Sequence, residues 1–272
     1  MKVAVAGGTG VVGRLTVEAV RGNGDEPVVL ARSTGVELVS GNGLAEALAG
    51  IDAVIDVSNI ASTRASVVSE FFEATSRNLM RAAAQAGVRH LVALSIVGVD
   101  HVPFGYYEGK LRQEEVLAGS PVPVSILRAA QFHEFPGQYL ARSSGRFVVV
   151  PKWRTQPVAA REVATALAAL ATELPVAMSP VAASPVLMSE LAGPREENMA
   201  DLLRQVLAAR GERRRVIEVR VPGAGGRAMA TGGGLPGPGV RLGTQTFADW
   251  LRSRAGSRAD ASATSAARDG AR

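Results

Sequence analysis

Apolar and polar positions along the chain follow two rhythms that take turns: short unbroken apolar runs, and longer stretches with a period near 3.6. The first run, Val3-Ala4-Val5-Ala6, predicts a strand buried on both faces. An amphipathic helix follows, with Leu15, Val17, Ala19 and Val20 as its apolar residues and Gly22-Asn23-Gly24 at its end. Val28–Ala31 predicts a second strand, Val36–Val39 a short third, Leu44–Ala49 a brief helix and Ala53–Val57 a fourth strand. A long helix is predicted from about Ala65 to Ala86, with Val68, Phe72, Leu79 and Ala83 on one face and Gly87 as its stop. His90–Leu94 reads as a fifth strand, a helix opens at Tyr106, and Val122–Leu127 reads as a sixth strand. Strands alternating with helices predict an α/β fold with a doubly wound, mostly parallel sheet.

Beyond about residue 135 the rhythm loosens. Phe147–Val150 predicts a strand, Arg161–Thr172 a helix, Met199–Arg210 a helix, Val216–Val221 a strand and Phe247–Arg254 a short last helix. Pro175–Pro185 is apolar and proline-rich, and Pro222–Gly243 reads as a Gly/Pro-rich loop. Residues 1–253 are expected to form one unit, with a small C-terminal substrate lobe over about 135–253. The tail over 254–272 lacks large apolar residues and is expected to be disordered.

Candidate chemistry begins directly after the first strand. Gly7, Gly10 and Gly13 are spaced by three, and Gly8, Gly10 and Gly13 also satisfy G-x-G-x-x-G. Glycines between a strand and a helix permit a tight turn and a close approach of backbone to a pyrophosphate, which the helix N-terminus then meets. This context sharpens the fold to a Rossmann-type sheet and makes Gly7, Thr9, Gly10, Val11, Val12 and Gly13 candidate cofactor contacts. The second strand ends in Arg32-Ser33, where an NAD-binding chain would carry an acidic residue for the ribose 2′-hydroxyl. Arg14 follows Gly13. Two guanidiniums suit a 2′-phosphate, so Arg14, Arg32 and Ser33 favour NADP over NAD. Ser58 and Asn59, at the end of the fourth strand, either touch the adenosine side or serve as turn residues.

Composition narrows the alternatives. The chain has 272 residues, no cysteine, and no signal-like or membrane-length apolar run, so disulfides and thiolate metal sites are excluded. A cytoplasmic location is expected. Three histidines without metal-ligand spacing argue against a metal centre. Net charge is +5, but the arginines are scattered or gathered near 210–215 and in the tail, with no aromatic platform for bases. The expected partner is therefore a small molecule rather than a nucleic acid or a membrane, with the chain a monomer or homodimer.

Ser95, Tyr106 and Lys110 occur in that order, after the fifth strand and at the head of the next helix. Tyr106 and Lys110 are spaced i, i+4 and share a helix face. A nearby ammonium favours the phenolate of a tyrosine, which can then exchange a proton with a substrate oxygen. This arrangement resembles the short-chain dehydrogenase/reductase superfamily. Gly-Gly-Thr-Gly-x-x-Gly-Arg at the glycine turn, Leu-Ser-x-x-Gly-Val-Asp at 94–100, Tyr-Tyr-x-x-Lys-Leu at 106–111 and Ile-Leu-Arg-Ala-x-Gln-Phe at 126–132 resemble its atypical, NmrA-like branch. The later Pro-Val-Ala-Ala-Arg-Glu-Val-Ala at 157–164 resembles it too. The resemblance implies Tyr106 as acid/base, Lys110 lowering its pKa and holding the nicotinamide ribose, Ser95 orienting substrate, and Gln131 and Phe132 beside the nicotinamide. Tyr107 is expected to pack or to line the substrate pocket; His133-Glu134 either lines that pocket or forms a surface turn. The implied activity is NADP-dependent hydride transfer to or from a small carbonyl or alcohol. The branch also contains redox-sensing regulators without catalysis and epimerase-like proteins, which stand as alternatives.

Overall fold

The computed structural model describes residues 1–173 and 186–254. The proline-rich stretch at 175–185 and the tail beyond 254 lie outside the described residues.

Seven parallel strands form the central sheet: β1 (Lys2–Ala6), β2 (Glu26–Leu30), β3 (Ala53–Asp56), β4 (His90–Ile96), β5 (Val124–Ala129), β8 (Val186–Ala192) and β11 (Arg241–Leu242). Their spatial order is β2-β1-β3-β4-β5-β8-β11. Alternation within β1 divides the core in two. Ala4 and Ala6 face one apolar cluster with Val54, Leu79 and Leu117, and Val3 and Val5 face another with Ile55, Val92 and Leu167. Helices α1 (Val11–Gly22) and α6 (Ala160–Thr172) cover the second face; α2 (Leu44–Ala47), α3 (Ala65–Ala86) and α4 (Gly105–Leu117) cover the first. Burial on both faces is why the strands read as continuous apolar runs.

The chain leaves β1 toward β2 and reaches β3 on the other side of β1. The sheet therefore reverses its winding between β1 and β3, and ligands of open α/β sheets bind at the strand ends there.

The expected third strand at Val36–Val39 is absent. Val36 and Leu38 are buried, so their alternation reports burial and not strand pairing. Residues 35–43 instead close a loop: the Glu37 N–H donates to the Asn42 carbonyl and the Gly41 N–H to Glu37. The Asn78 amide pins it from α3 by donating to the carbonyls of Leu38 and Val39 at 3.0 and 2.8 Å. The edge of the sheet is consequently β2.

The C-terminal lobe is built from α5 (Phe135–Arg142), β6 (Phe147–Pro151), β7 (Arg154–Thr155), β9 (Glu197–Asn198), α7 (Met199–Ala209), β10 (Arg215–Val219), α8 (Ala224–Thr231) and a helix over 247–254. Strands β6 and β10 pair in parallel, β7 and β9 antiparallel. Val148, Val150, Trp153, Leu203, Met229 and Phe247 form its core, and Tyr107 of α4 joins them. Helix α8 lies within 222–243, which the sequence reads as loop; α5 and β8 also have no counterpart among the predicted elements.

Candidate active site

The glycine turn is built around two close approaches. Gly7 has φ of 77°, in the left-handed region, and its own N–H donates to the Leu30 carbonyl at 3.1 Å. A methyl group on Gly7 would stand 2.8 Å from Cα of Ser58, so the turn after β1 lies against the segment after β3. A methyl on Gly13 would overlap the Gly7 carbonyl oxygen and lie 2.7 Å from Cα of Gly8. The Gly10 N–H closes the turn onto the Gly7 carbonyl at 2.9 Å.

Helix α1 opens from Gly10 with no side-chain cap and no acidic residue in its first turn. The N–H groups of Val11, Val12 and Gly13 have no intrahelical acceptor by construction, and together with the helix dipole they favour an anion. Thr9 and Gly10 are exposed and Val11 is 45% exposed, while Val12 packs on the α1–α6 side of the core. The residues at this turn fit a dinucleotide pyrophosphate, because the cradle exists only where side chains are missing.

Arg14 is exposed, and its guanidinium turns back onto the Thr9 carbonyl. It lines an open hollow of about 400 Å³ with Gly8, Thr9 and Arg21, between α1 and β2. Arg32 and Ser33 are exposed in a single 3₁₀ turn, Arg32–Thr34, directly after β2. Ser58 is buried, and its hydroxyl has no hydrogen-bond partner among the described residues. That orphaned group lies beside the glycine turn, where a ligand could satisfy it.

Tyr106 and Lys110 each lie against Phe72, and Lys110 bonds the carbonyl of Leu94 next to Ser95, but the three side chains do not form one hydrogen-bonded unit. The half-buried Tyr106 donates its hydroxyl to Oδ1 of Asn59 at 2.7 Å. Burial raises the Tyr106 pKa above that of a free phenol, with smaller contributions from Tyr107 and the Asp56 charge. Lys110 is 4% exposed and lies under the Phe72 ring, 4.0 Å from its centroid. Its ammonium donates to the Leu94 carbonyl and to Oε1 of Gln113, both at 2.8 Å. Gln113 in turn donates to Oδ2 of Asp56 at 2.9 Å, and Oδ1 of Asp56 accepts the Ser58 N–H at 2.9 Å. Burial pulls the Lys110 pKa down to about 8, against the opposing pull of Asp56 and Glu114. Ser95 donates to Oε1 of Glu114, whose carboxylate is held by Arg128 at 3.0 and 2.7 Å; Arg128 also reaches Asp100 at 3.1 Å.

Asp56, Gln113, Glu114 and Arg128 were not among the sequence candidates. A signal existed: Gln113 and Glu114 lie three and four residues after Lys110, on its face. Asp56 is the polar member of the otherwise apolar run Ala53-Val54-Ile55-Asp56.

Gln131 and Phe132 are half-buried just beyond β5, where Gln131 accepts the Val158 N–H at 2.9 Å and Phe132 bridges to Val158. His133 is neither on a surface turn nor open to solvent. It is fully buried, pairs with the Pro157 carbonyl at 2.9 Å, and packs edge-on against Phe247 and Trp250. Burial lowers the His133 pKa and raises that of Glu134. Tyr107 packs in the lobe core, its pKa pushed up to about 12 by burial.

Known proteins share this frame. The NADPH complex of the quinone oxidoreductase QOR2 from Escherichia coli superposes with a TM-score of 0.66 at 18% identity, covering 92% of this chain and 99% of that one. A nucleoside-diphosphate-sugar epimerase from Staphylococcus aureus gives 0.68 at 16% identity, with the same coverage of 92% and 99%. At such identities the likeness establishes the fold. The photosystem II assembly factor Ycf39 of Synechocystis is 33% identical over 155 residues, 51% of this chain and 48% of that protein. The chain thus spans about half the length of this curated relative. A family model described as NAD(P)H-binding matches residues 7–173, from the glycine turn to the end of α6. That match covers more than half of the sequence, and the chain belongs to this NAD(P)H-binding family.

Proposed function

We propose that the chain binds NADP(H) and reduces a small carbonyl compound, a quinone included, with Tyr106 as the proton donor. The carrying observation is the glycine cradle at the winding reversal, beside which Asn59 holds the Tyr106 hydroxyl. The turn over Gly7–Gly13 and the start of α1 would hold the pyrophosphate, and Arg14 with Arg32 the 2′-phosphate. Ser58 and Asn59 would border the adenosine-to-nicotinamide path, and Gln131 and Phe132 the nicotinamide. When bound, the cofactor supplies the hydride.

The half-buried Tyr106 phenol next to the Asp56 charge keeps its proton at neutral pH, which is compatible with the proposed donor role. The Oδ1 of Asn59 accepts the hydrogen bond of the Tyr106 hydroxyl in the resting arrangement and orients it. Lys110, anchored by Leu94 and Gln113, sets the floor of the site and does not bond the phenol. Ser95 reaches Glu114, so orienting a substrate oxygen would require that hydroxyl to exchange partners.

The engagement of Ser95 and Lys110 with other partners also favours a second reading, an NADP(H)-sensing regulator without turnover. The test is Tyr106→Phe assayed with NADPH against a panel of small carbonyl compounds and quinones. The reductase reading expects loss of at least about 100-fold in kcat with NADPH affinity within about threefold, the scale of a general acid. Unchanged turnover would remove Tyr106 from the chemistry, and no turnover by the wild-type chain together with tight NADPH binding would leave the sensor.

A further inference from the structure

Strands β6 and β10 form a two-stranded parallel ribbon whose inner side chains, Val148 and Val150, close the lobe core. The outer face is apolar and, among the described residues, uncovered: Phe147 is 54% exposed, Val149 53% and Ile217 42%. Register sets Phe147 beside Arg215 and Val149 beside Ile217. A solvated sheet face normally carries polar side chains, so the apolar pair Val149–Ile217 with Phe147 next to it marks a contact surface.

Charge gathers at one end of the same ribbon. The Arg215 N–H donates to the Arg146 carbonyl at 2.9 Å. The Arg214 guanidinium reaches the carbonyls of Ser143 and Gly145 at 2.9 and 3.0 Å, drawing the end of α5 to the start of both strands. Arg142, Arg146, Arg213 and Arg215 are thereby brought to one region, all exposed. Among the described residues none of these four guanidiniums has a hydrogen bond or an ion pair.

Among the described residues no strand pairs with the outer edge of β10. Arg215 N–H and the Val219 carbonyl both bond toward β6, the latter accepting the Lys152 N–H at 2.8 Å. Main-chain groups of residues 215, 217 and 219 therefore face β6, and those of Val216 and Glu218 face outward. We infer that this edge receives an extended segment of a protein partner as a third strand, with an apolar side chain against Ile217 and acidic side chains toward Arg215 and Arg213. Main-chain pairing supplies the affinity of such strand addition, and the flanking side chains its selectivity. An anionic bilayer would leave the main-chain groups of this edge unpaired.

The test uses the full chain and two labelled octapeptides, Glu-Thr-Glu-Thr-Val-Thr-Val-Thr and its reverse, followed by fluorescence anisotropy at low and high salt. One order should bind saturably and at least tenfold tighter than the other, and salt should weaken it. The double variant Arg213→Glu with Arg215→Glu should weaken binding at least tenfold while leaving NADPH affinity unchanged, which separates this inference from the cofactor reading. N-methylation of alternate peptide nitrogens, in the phase that faces β10, should abolish binding without touching the protein. The inference is overturned if neither peptide saturates, if charge reversal or N-methylation has no effect, or if phosphatidylglycerol vesicles bind in the peptides' place. It is equally overturned if the chain forms a dimer that Ile217→Ser dissolves.

Discussion

Gly13→Ala is the sharpest single change available. The new methyl would meet three backbone atoms: it overlaps the Gly7 carbonyl oxygen, and it lies 2.7 Å from Cα of Gly8 and 2.8 Å from the Gly7 carbonyl carbon. No flexible side chain can yield there, and the turn is anchored by the bonds from Gly7 to Leu30 and from Gly10 to Gly7. Overpacking of this kind costs ~1–3 kcal/mol, and a backbone obstacle belongs at the upper end. Alanine returns about 1 kcal/mol through its better helix propensity. The net loss is roughly 2 kcal/mol, or about 4–8 °C in Tm for a chain of this size. Gly22→Ala, in the same helix, is the matched control: nothing lies within 4 Å of its methyl, so stability should hold or rise by up to about 1 kcal/mol. Thermal melts with and without NADPH at 100 times Kd read both effects. The wild type and Gly22→Ala should gain about 2.7 kcal/mol from the ligand, and Gly13→Ala should gain little, because its turn has moved. The reasoning fails if Gly13→Ala melts with Gly22→Ala and keeps the full ligand increment.

Arg32→Ala should narrow the preference for NADPH over NADH by roughly 1–3 kcal/mol, the scale of a charge-assisted contact, as titration of both nucleotides would show; equal affinities in the wild type would already refute the pairing with a 2′-phosphate. Lys110→Met addresses pH. The folded-state pKa of about 8 lies below the unfolded value near 10.5, so the unfolded chain binds more protons between them. The Lys110 contribution should therefore raise stability as pH climbs from about 8 toward 10, by on the order of 3 kcal/mol at most. Denaturant unfolding should show that slope in the wild type and lose it in Lys110→Met; identical slopes would place Lys110 nearer to water.

Elements buried on both faces were legible because burial itself writes the pattern. Val3–Ala6, Ala53–Asp56 and His90–Ile96 each face two helical layers, and their runs admit one reading. Val36–Val39 misled for the same reason: Val36 and Leu38 point into the core from a loop, and periodicity does not report whether a neighbouring strand exists. Strand β8 is not legible because Ser189 and Glu190 interrupt its apolar run, and its Leu187 and Met188 are 55% and 44% exposed. At the candidate site, local spacing identified the glycines and placed Tyr106 and Lys110 on one helix. It could not reveal that Ser95 bonds Glu114, or that Gln113 links Lys110 to Asp56. Those partners are set by how α4 settles on the sheet, a long-range outcome that no short motif encodes.

If Arg32 reads the 2′-phosphate as proposed, the closed loop over 35–43, which stands where the sequence suggests another strand, makes nucleotide preference a detachable property. Its neighbour Arg32 begins a turn and is not a rung in a ladder of paired strands. Lengthening such a loop, with Val36 and Leu38 kept in the core, changes mainly its closure entropy, about 0.6 kcal/mol per doubling of length. Evolution or an engineer could therefore rewrite the residues that discriminate a phosphate from a hydroxyl while the sheet folds as before. Asn78, whose α3 side chain pins the loop at two carbonyls, and the buried Val36 and Leu38 are the fixed points that such a graft would have to keep.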